Sequence, residues 1–415
     1  MSGSRKKVAI ICQRYGIEVN GGAEYHARLL AEKLFLKYDV TVLTTTAVDY
    51  HSWENYYKQG SEYINGILVN RFPTIAPTTS KQLRKSRRIV LEKRKYFKLL
   101  KTLGIFNFLN RWLNLTKVTQ REAFNWLKNQ GPYCPLLIKY IADNKNEYDV
   151  FIFFTYLYYP TAVGMPLVKN KALFIPTAHD EPPLYFSPYK NIFAVPKFIM
   201  YNTPAEKKLV EKHFEPYTKA NNIAGVGITG PIIDDENKPH FPNSKYFLYI
   251  GRIEPNKGCD ELISYFERYC TGKDIKLVMI GKYLLSQPTS KNVISTGFIA
   301  ESDKNHYLKN CNALIIPSKY ESLSLVALEA MRAGKLIIVN GQCEVLKDHV
   351  ENSNSGFYYE NFDQFCSALD NVLNMSEEEE NVHRENAIMY VEKNYSWDSI
   401  LQKFDKAIDY ITNSL

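Results

Sequence analysis

Four side chains in the second half of the chain have the types and spacing to hold a phosphorylated sugar. Glu321 and Glu329 bound the run ESLSLVALE, with only small or apolar residues between them. With Glu321 at a helix entrance and Glu329 inside the helix, a rise of about 1.5 Å per residue sets the acids about 12 Å apart. That is the reach of a nucleoside diphosphate sugar from ribose to hexose. Carboxylates accept hydrogen bonds from sugar hydroxyls, and amides at the helix start, near Ser322 and Leu323, suit an anion between them. YIGRIEPNKG places Arg252 and Lys257 on one loop, where two cations can neutralise a diphosphate and the charge on a leaving group. In the first half, NGGAE sets Gly21 and Gly22 before a helix with free amides, and TAHDEPP brings His179, Asp180 and Glu181 into one loop.

Each pattern also has a plainer reading. Ser318-Lys319-Tyr320-Glu321 fits the S-x-x-E capping box, Glu329 fits an exposed helix position, and Arg252 and Lys257 fit solvated surface charges. The polar loop at His179 is a poor metal cluster, because adjacent residues of an extended chain point to opposite faces. No D-x-D occurs to hold a diphosphate through a metal. GVGITG, residues 225–230, matches G-x-G-x-x-G, yet Pro231 follows where a dinucleotide fingerprint requires a helix.

The elements that must position these residues favour the ligand readings. KVAIIC, a loop, AEYHARLLAEKLFLKY and DVTVLTT form a β-loop-α-β start, and GILVNRF, DVFIFFTY and KALFIPTA continue as strands. After a linker at 231–244, rich in proline, acid and amide, a second alternation begins. Its strands are YFLYIGRI, KLVMIG, NVISTGF, ALIIPS and KLIIVN. Its helices are CDELISYFERY, SDKNHYLKNC and LSLVALEAMRAG, the last ended by Gly334. Such alternation predicts an α/β chain with parallel sheets covered on both faces. The loops carrying Arg252, Lys257 and Glu321 then leave carboxyl edges of one sheet, where ligands of α/β folds bind.

A chain of 415 residues suits two domains. The seven cysteines are scattered, odd in number and without C-x-x-C, which argues against a disulfide framework or a zinc site. The first thirteen residues lack the apolar core of a signal peptide, and no apolar run has the length of a membrane span, so a cytoplasmic protein is expected. Charge is uneven. Residues 81–128 hold fourteen Lys or Arg against Glu92 and Glu122, a local +12 within a net +8, leaving −4 elsewhere. This segment, with Tyr96, Phe106 and Trp112 interleaved, predicts a basic helical insertion. A solvated hairpin, a nucleic-acid patch and a face for anionic lipid are all open readings, and no nucleic-acid motif accompanies it.

Taken in order, NGGAE, NTPAEKKLV, GVG, YIGRIEPNKG, VMIGK, STGF and ESLSLVALE with its trailing EAMRAG resemble the retaining glycosyltransferases of family 4. The resemblance covers nearly the whole chain. It implies a GT-B fold, with two Rossmann-like parallel-sheet domains facing a central cleft. The expected limits are 1–230 for the first domain, with the basic insertion at about 78–146, and 245–395 for the second, with a C-terminal helix at 396–415 packing back on the first.

The resemblance further implies that Arg252 and Lys257 hold the donor diphosphate, Glu329 the ribose and Glu321 the transferred sugar, with His179 beside that sugar at the reaction centre. Gly22, Gly227, Gly281, Lys282, Phe298, Ser322, Leu323, Ser324 and Leu325 are assigned to the donor. The family pattern often has E-G-F-G where this chain has Glu321-Ser322-Leu323-Ser324.

The expected activity is transfer of a hexose from a nucleotide sugar, with retention and no required metal or other cofactor, in bacterial polysaccharide or glycoconjugate assembly. The acceptor is expected to be a carbohydrate or a lipid-linked saccharide, with peripheral contact to anionic membrane at the inner face through 81–128 and no nucleic-acid partner. An epimerase, a phosphorylase and a polyanion- or membrane-binding protein are the rival readings.

Overall fold

The computed structural model describes residues 5–19, 21–50, 52–75, 81–88, 90, 99, 102–105, 118–214, 220–230, 245–285 and 290–413. The 231–244 linker, Asn20 and much of the basic insertion, including Tyr96, Phe106 and Trp112, lie outside them. The chain divides into two compact units, one of residues 1–224 with 401–415 and one of residues 225–400.

The first unit is built on an eight-stranded sheet in the order β3-β4-β2-β1-β5-β6-β7-β8. These strands are β1 (Lys7–Ile11), β2 (Asp39–Thr45), β3 (Gly60–Ile64), β4 (Ile67–Phe72), β5 (Val150–Phe154), β6 (Ala172–Ile175), β7 (Phe198–Tyr201) and β8 (Ala220–Ile223). Every pairing is parallel except β3 with β4. The parallel strands read as apolar runs, VFIFF and ALFI being wholly buried, because both faces are covered. β3 is an edge strand closed by a tight turn in which Asn65 and Gly66 both take positive φ, at 50° and 80°.

The helices of this unit are α1 (Gly22–Leu34), α2 (Gln120–Gln130), α3 (Pro135–Asp143), α4 (Tyr159–Gly164) and α5 (Pro204–Phe214). The basic insertion is tied to the core at both of its described ends. Residues 81–88 are helical, with Lys81, Arg84, Lys85, Arg87 and Arg88 exposed, while Val90 is buried in the core. α2 carries a capping box, Thr119 with Glu122, and buries Trp126, whose Nε1–H donates to Tyr189 Oη at 2.8 Å.

The second unit has a six-stranded, wholly parallel sheet in the order β11-β10-β9-β12-β13-β14. Its strands are β9 (Tyr246–Ile250), β10 (Lys276–Ile280), β11 (Val293–Gly297), β12 (Ala313–Ile316), β13 (Leu336–Asn340) and β14 (Phe357–Tyr359). The covering helices are α6 (Cys259–Tyr269), α7 (Glu301–Asn310), α8 (Leu325–Arg332), α9 (Glu344–Ser353), α10 (Phe362–Asn374) and α11 (Glu377–Tyr395).

The last helix, α12 (Trp397–Asn413), places residues 401 onward in the first unit. There Phe404, Ala407, Ile408 and Ile411 are buried at helical spacing, and Asp405 and Asp409 accept from Tyr38 Oη at 2.6 Å and Lys6 Nζ at 2.7 Å. Residues 225–230, expected at the end of the first domain, cluster with the second unit. Ile228 N–H donates to Tyr395 O at 2.8 Å, and the Trp397 ring stands where a Cβ on Gly227 would lie. Packing against Trp397 alone therefore requires glycine at 227. Among the described residues no helix is long and apolar enough to cross a membrane.

Candidate active site

In the second unit, β9 leads through Gly251 into the loop of Arg252, a short 3₁₀ turn (Pro255–Lys257) and Gly258. Gly258 takes φ 74°, and a Cβ there would lie 2.5 Å from Pro317 O, so only glycine lets this turn settle against the end of β12. Tyr249 Oη donates to Arg252 O at 2.7 Å and fixes the loop from below. Arg252 lies 3.2 Å from Glu254, and Lys257 Nζ donates to Glu321 Oε1 at 2.7 Å. The loops after neighbouring strands β9 and β12 are thereby joined. The two cationic side chains keep 32% and 28% of their surface exposed, so both still reach an incoming anion.

The acids at 321 and 329 sit differently from the helical ruler. α8 begins at Leu325, with Ser324 as its N-cap in the left-handed region at φ 62° and without a side-chain cap. Ser318 and Glu321 thus form no capping box, and half the interval between the acids is loop. Two tertiary contacts account for the displaced start. Glu321 is drawn to Lys257, and Leu323 O accepts from His349 Nε2–H at 2.7 Å. Since a carbonyl can only accept, His349 carries its proton on Nε2, and its Nδ1 accepts from Tyr390 Oη at 2.9 Å. Burial depresses the imidazole to about 4, opposed by the bond to Leu323. The intrahelical bonds of α8 start with Ala327 N–H and Leu328 N–H, both to Ser324 O, so the amides of Leu325 and Val326 precede them.

Glu329 Oε2 accepts from Lys304 Nζ of α7 at 3.0 Å, and Lys304 also contacts Glu301 at 2.5 Å. Burial raises the Glu329 carboxyl, partly offset by Lys304. Burial would lower the Lys304 ammonium, but Glu329 and Glu301 outweigh it and hold it above the usual range. Lys304 was not among the expected site residues. Nothing local in SDKNHYLKN ties it to an acid on another helix.

Beside the cation loop, three neighbouring strands end in glycine. Gly251, Gly281 and Gly297 follow or close β9, β10 and β11 with φ of 150°, 137° and 71°. A Cβ on Gly281 would stand 2.0 Å from Gly251 O. The strand ends form a ledge of bare backbone, continued by exposed Lys282 and by Phe298, which is 63% exposed.

In the first unit, the two glycines of NGGAE differ. A Cβ on Gly21 would lie 2.2 Å from Glu24 Oε2 and 2.9 Å from Arg14, whereas one on Gly22 meets nothing within 4 Å. Glu24 and Arg14 form a pair at 2.6 Å, both almost wholly buried, and Gln13 also donates to Glu24. Gly21 serves that packing, and Gly22 leaves open space at the start of α1.

His179 lies in the loop after β6, its Nε2 3.7 Å from Glu181 Oε1, which accepts from Tyr156 Oη at 2.7 Å. Two threonines at neighbouring strand ends, Thr155 and Thr177, take positive φ of 64° and 49°, and their hydroxyls meet at 3.1 Å. β-Branched residues rarely adopt this conformation. Behind the loop, buried Glu206 accepts from Ala178 N–H at 2.5 Å and Asn202 N–H at 2.6 Å. Burial pushes its carboxyl up, and the two amides, one donating to each oxygen, oppose this by favouring the ionised form.

Comparison with known proteins settles the fold. Over 99% of its length the chain superposes on all of sucrose-phosphate synthase from Thermosynechococcus elongatus, with a TM-score of 0.68 at 14% identity. The trehalose-6-phosphate synthase OtsA gives 0.69 at 11% identity over 97% of this chain and 99% of that one. The fold is GT-B. Anabaena HepE in complex with UDP and glucose shares it at a TM-score of 0.64 and 14% identity, covering 99% of this chain and all of that one.

Within this GT-B chain, residues 232–389 match the family model described as "Glycosyl transferases group 1". An uncharacterized glycosyltransferase of Methanocaldococcus jannaschii is 28% identical over 226 residues, 49% of this chain and 54% of that protein. A Salmonella typhimurium lipopolysaccharide 1,2-N-acetylglucosaminetransferase is 25% identical over 178 residues, 38% and 46% of the two chains. The chain thus spans about half the length of the curated relatives it matches.

Proposed function

We propose that this protein is a retaining glycosyltransferase of family 4 that moves a hexose from a nucleotide sugar to an acceptor hydroxyl. The observation that carries the reading is the 2.7 Å contact of Lys257 with Glu321, which joins two loops on the same sheet edge beside the glycine ledge. Arg252 and Lys257 receive the diphosphate, with the amides of Ser324 and Leu325 and the loop residues Ser322 and Leu323 around it. Glu321 accepts from hydroxyls of the transferred sugar. Glu329, oriented by Lys304 on Oε2, keeps Oε1 for the ribose. Gly281, Lys282 and Phe298 receive the base, with Gly227 also assigned to the donor. In the first unit, Gly22 is assigned to the phosphates and acceptor, and His179 to the transferred sugar. The UDP named in the HepE complex supports a nucleotide-bearing donor.

Transfer proceeds on one face of the sugar. The bond from the anomeric carbon to phosphate oxygen breaks, the acceptor oxygen bonds to that carbon from the same side, and the acceptor's proton goes to a phosphate oxygen. Arg252 and Lys257 stabilise the departing charge, so neither a covalent nucleophile nor a metal is required. The exposed cations of residues 81–88 suit an anionic membrane carrying a lipid-linked saccharide in bacterial polysaccharide or glycoconjugate assembly, at the cytoplasmic face.

Hydrolysis and thermal shift across a panel of nucleotide sugars identify the donor. With that donor, Lys257→Ala is expected to lower transfer about 100-fold or more while leaving the melting temperature nearly unchanged. Undiminished turnover overturns the assignment, and phosphate-dependent breakdown of a saccharide favours a phosphorylase.

A further inference from the structure

Glu206 is a buried acid whose carboxylate accepts from two backbone N–H groups. It is 1% exposed, on the first turn of α5, in the motif NTPAEKKLV. Its own N–H donates to Thr203 Oγ1 at 3.1 Å, as in an N-cap, but its carboxylate reaches elsewhere. One oxygen takes Asn202 N–H just past β7, and the other takes Ala178 N–H just past β6. β6 and β7 are neighbours whose ladder runs only through Leu173 with Phe198 and Phe174 with Ile199. The carboxylate supplies acceptors where that ladder stops.

The residue between the β6 end and His179 is under strain. Thr177 has φ 49°, a conformation that a β-branched L-residue rarely adopts and that persists only where its surroundings hold it. The contacts that do so include Ala178 N–H to Glu206, the Thr177 hydroxyl to Thr155, Tyr156 N–H to Pro176 O at 2.9 Å, Glu181 N–H to His179 O at 2.7 Å, and the Tyr156 hydroxyl to Glu181 on the far side of His179. Of these, the bond to Glu206 is made by the backbone of the residue joining the strained position to His179.

We infer that Glu206 is a positioning residue for the transfer reaction: its carboxylate pins the Thr177–Ala178 kink and thereby fixes His179 in its loop. This rests on the role of His179 in the proposed function. A side-chain amide at 206 keeps the shape but offers one acceptor oxygen, and its NH₂ faces a backbone donor.

The test uses full-length Glu206→Gln, His179→Ala, their double variant, and Glu206→Gln with Thr177→Gly. Glu206→Gln should lower kcat about tenfold or more with affinity for the nucleoside diphosphate product unchanged, and the double variant should be no slower than the slower single one. Thr177→Gly, free of the strain, should restore most of the loss. Hydrogen exchange of residues 177–181 should quicken about tenfold in Glu206→Gln, with 252–258 unaffected. Full activity of Glu206→Gln beside a crippled His179→Ala overturns the inference alone, as do multiplying defects or unaltered exchange. A fully active His179→Ala overturns the role of His179 and the inference with it.

Discussion

The carboxyl edges of the two sheets use similar residues in opposite ways. In the first unit the cation Arg14 is bound to Glu24 with both almost wholly buried, and Val48 O takes another of its donors. In the second, Lys257 and Arg252 also face carboxylates, Glu321 and Glu254, but keep about a third of their surface exposed. The edges differ in backbone as well. One bends through strained threonines, Thr155 and Thr177, and the other through glycines, Gly251, Gly281 and Gly297. An ion pair by itself therefore does not mark a ligand site. Burial of the pair separates a cation that supports the fold from one that still meets solvent.

The sharpest way to break this contrast is at Glu24. Glu24→Ala leaves the Arg14 guanidinium buried without its carboxylate and should cost about 3–5 kcal/mol, read by denaturant unfolding. A loss below about 1 kcal/mol would place the pair with its exposed counterparts.

Next in size is an effect of pH on the second unit. His349 is held neutral, with a folded value of about 4 against an ordinary 6.5. Its contribution is complete above pH 6.5 and is lost as pH falls toward 4, when the unfolded imidazole takes a proton and the folded one does not. The shift amounts to about 3 kcal/mol. Melting followed from pH 7 to 4.5 should show this slope, and His349→Gln should flatten it. An unchanged slope would move the acid sensitivity to other groups.

The smallest effect tests a strained serine on the glycine-lined side. Ser324→Gly relieves the left-handed N-cap at φ 62° and should raise stability by up to about 1 kcal/mol, seen as a higher melting temperature. Destabilisation would mean that the Ser324 side chain is itself a support of the loop.

The second unit was the more legible in sequence. β9, β10, β12 and β13 are apolar runs followed by Gly or Pro, and α6 has the boundaries its pattern predicts, whereas β14, three residues running into Glu360 and Asn361, escaped notice. Strands of the first unit escaped notice for separate physical reasons. β8, ANNI, is polar and half-buried along its length, β3 is an exposed edge, and β7 is four residues long behind three short 3₁₀ turns. The Asn65-Gly66 pair was a readable hairpin signal for β3. At the site, Arg252, Lys257 and Glu321 stand out because loops after parallel strands carry them, and Glu329 because it lies on the helix that follows one of those loops. Lys304, His349 and Glu206 do not, since each meets a deciding partner on another element, Glu329, Leu323 and Ala178 respectively. The plainer capping-box reading of Ser318 fails for the same reason, because Lys257 and His349 overrule a local preference from a distance.

The ledge formed by Gly251, Gly281 and Gly297 also bears on how such a protein can be re-engineered. Gly281 tolerates no side chain at all, with its neighbour's carbonyl 2.0 Å from where a Cβ would stand. Under the proposed function, the Gly281 part of that surface greets every nucleotide alike and cannot be tuned by substitution. Selectivity among bases would then have to be rewritten at its margins, through Lys282 and Phe298, whose exposed side chains can change without moving a strand.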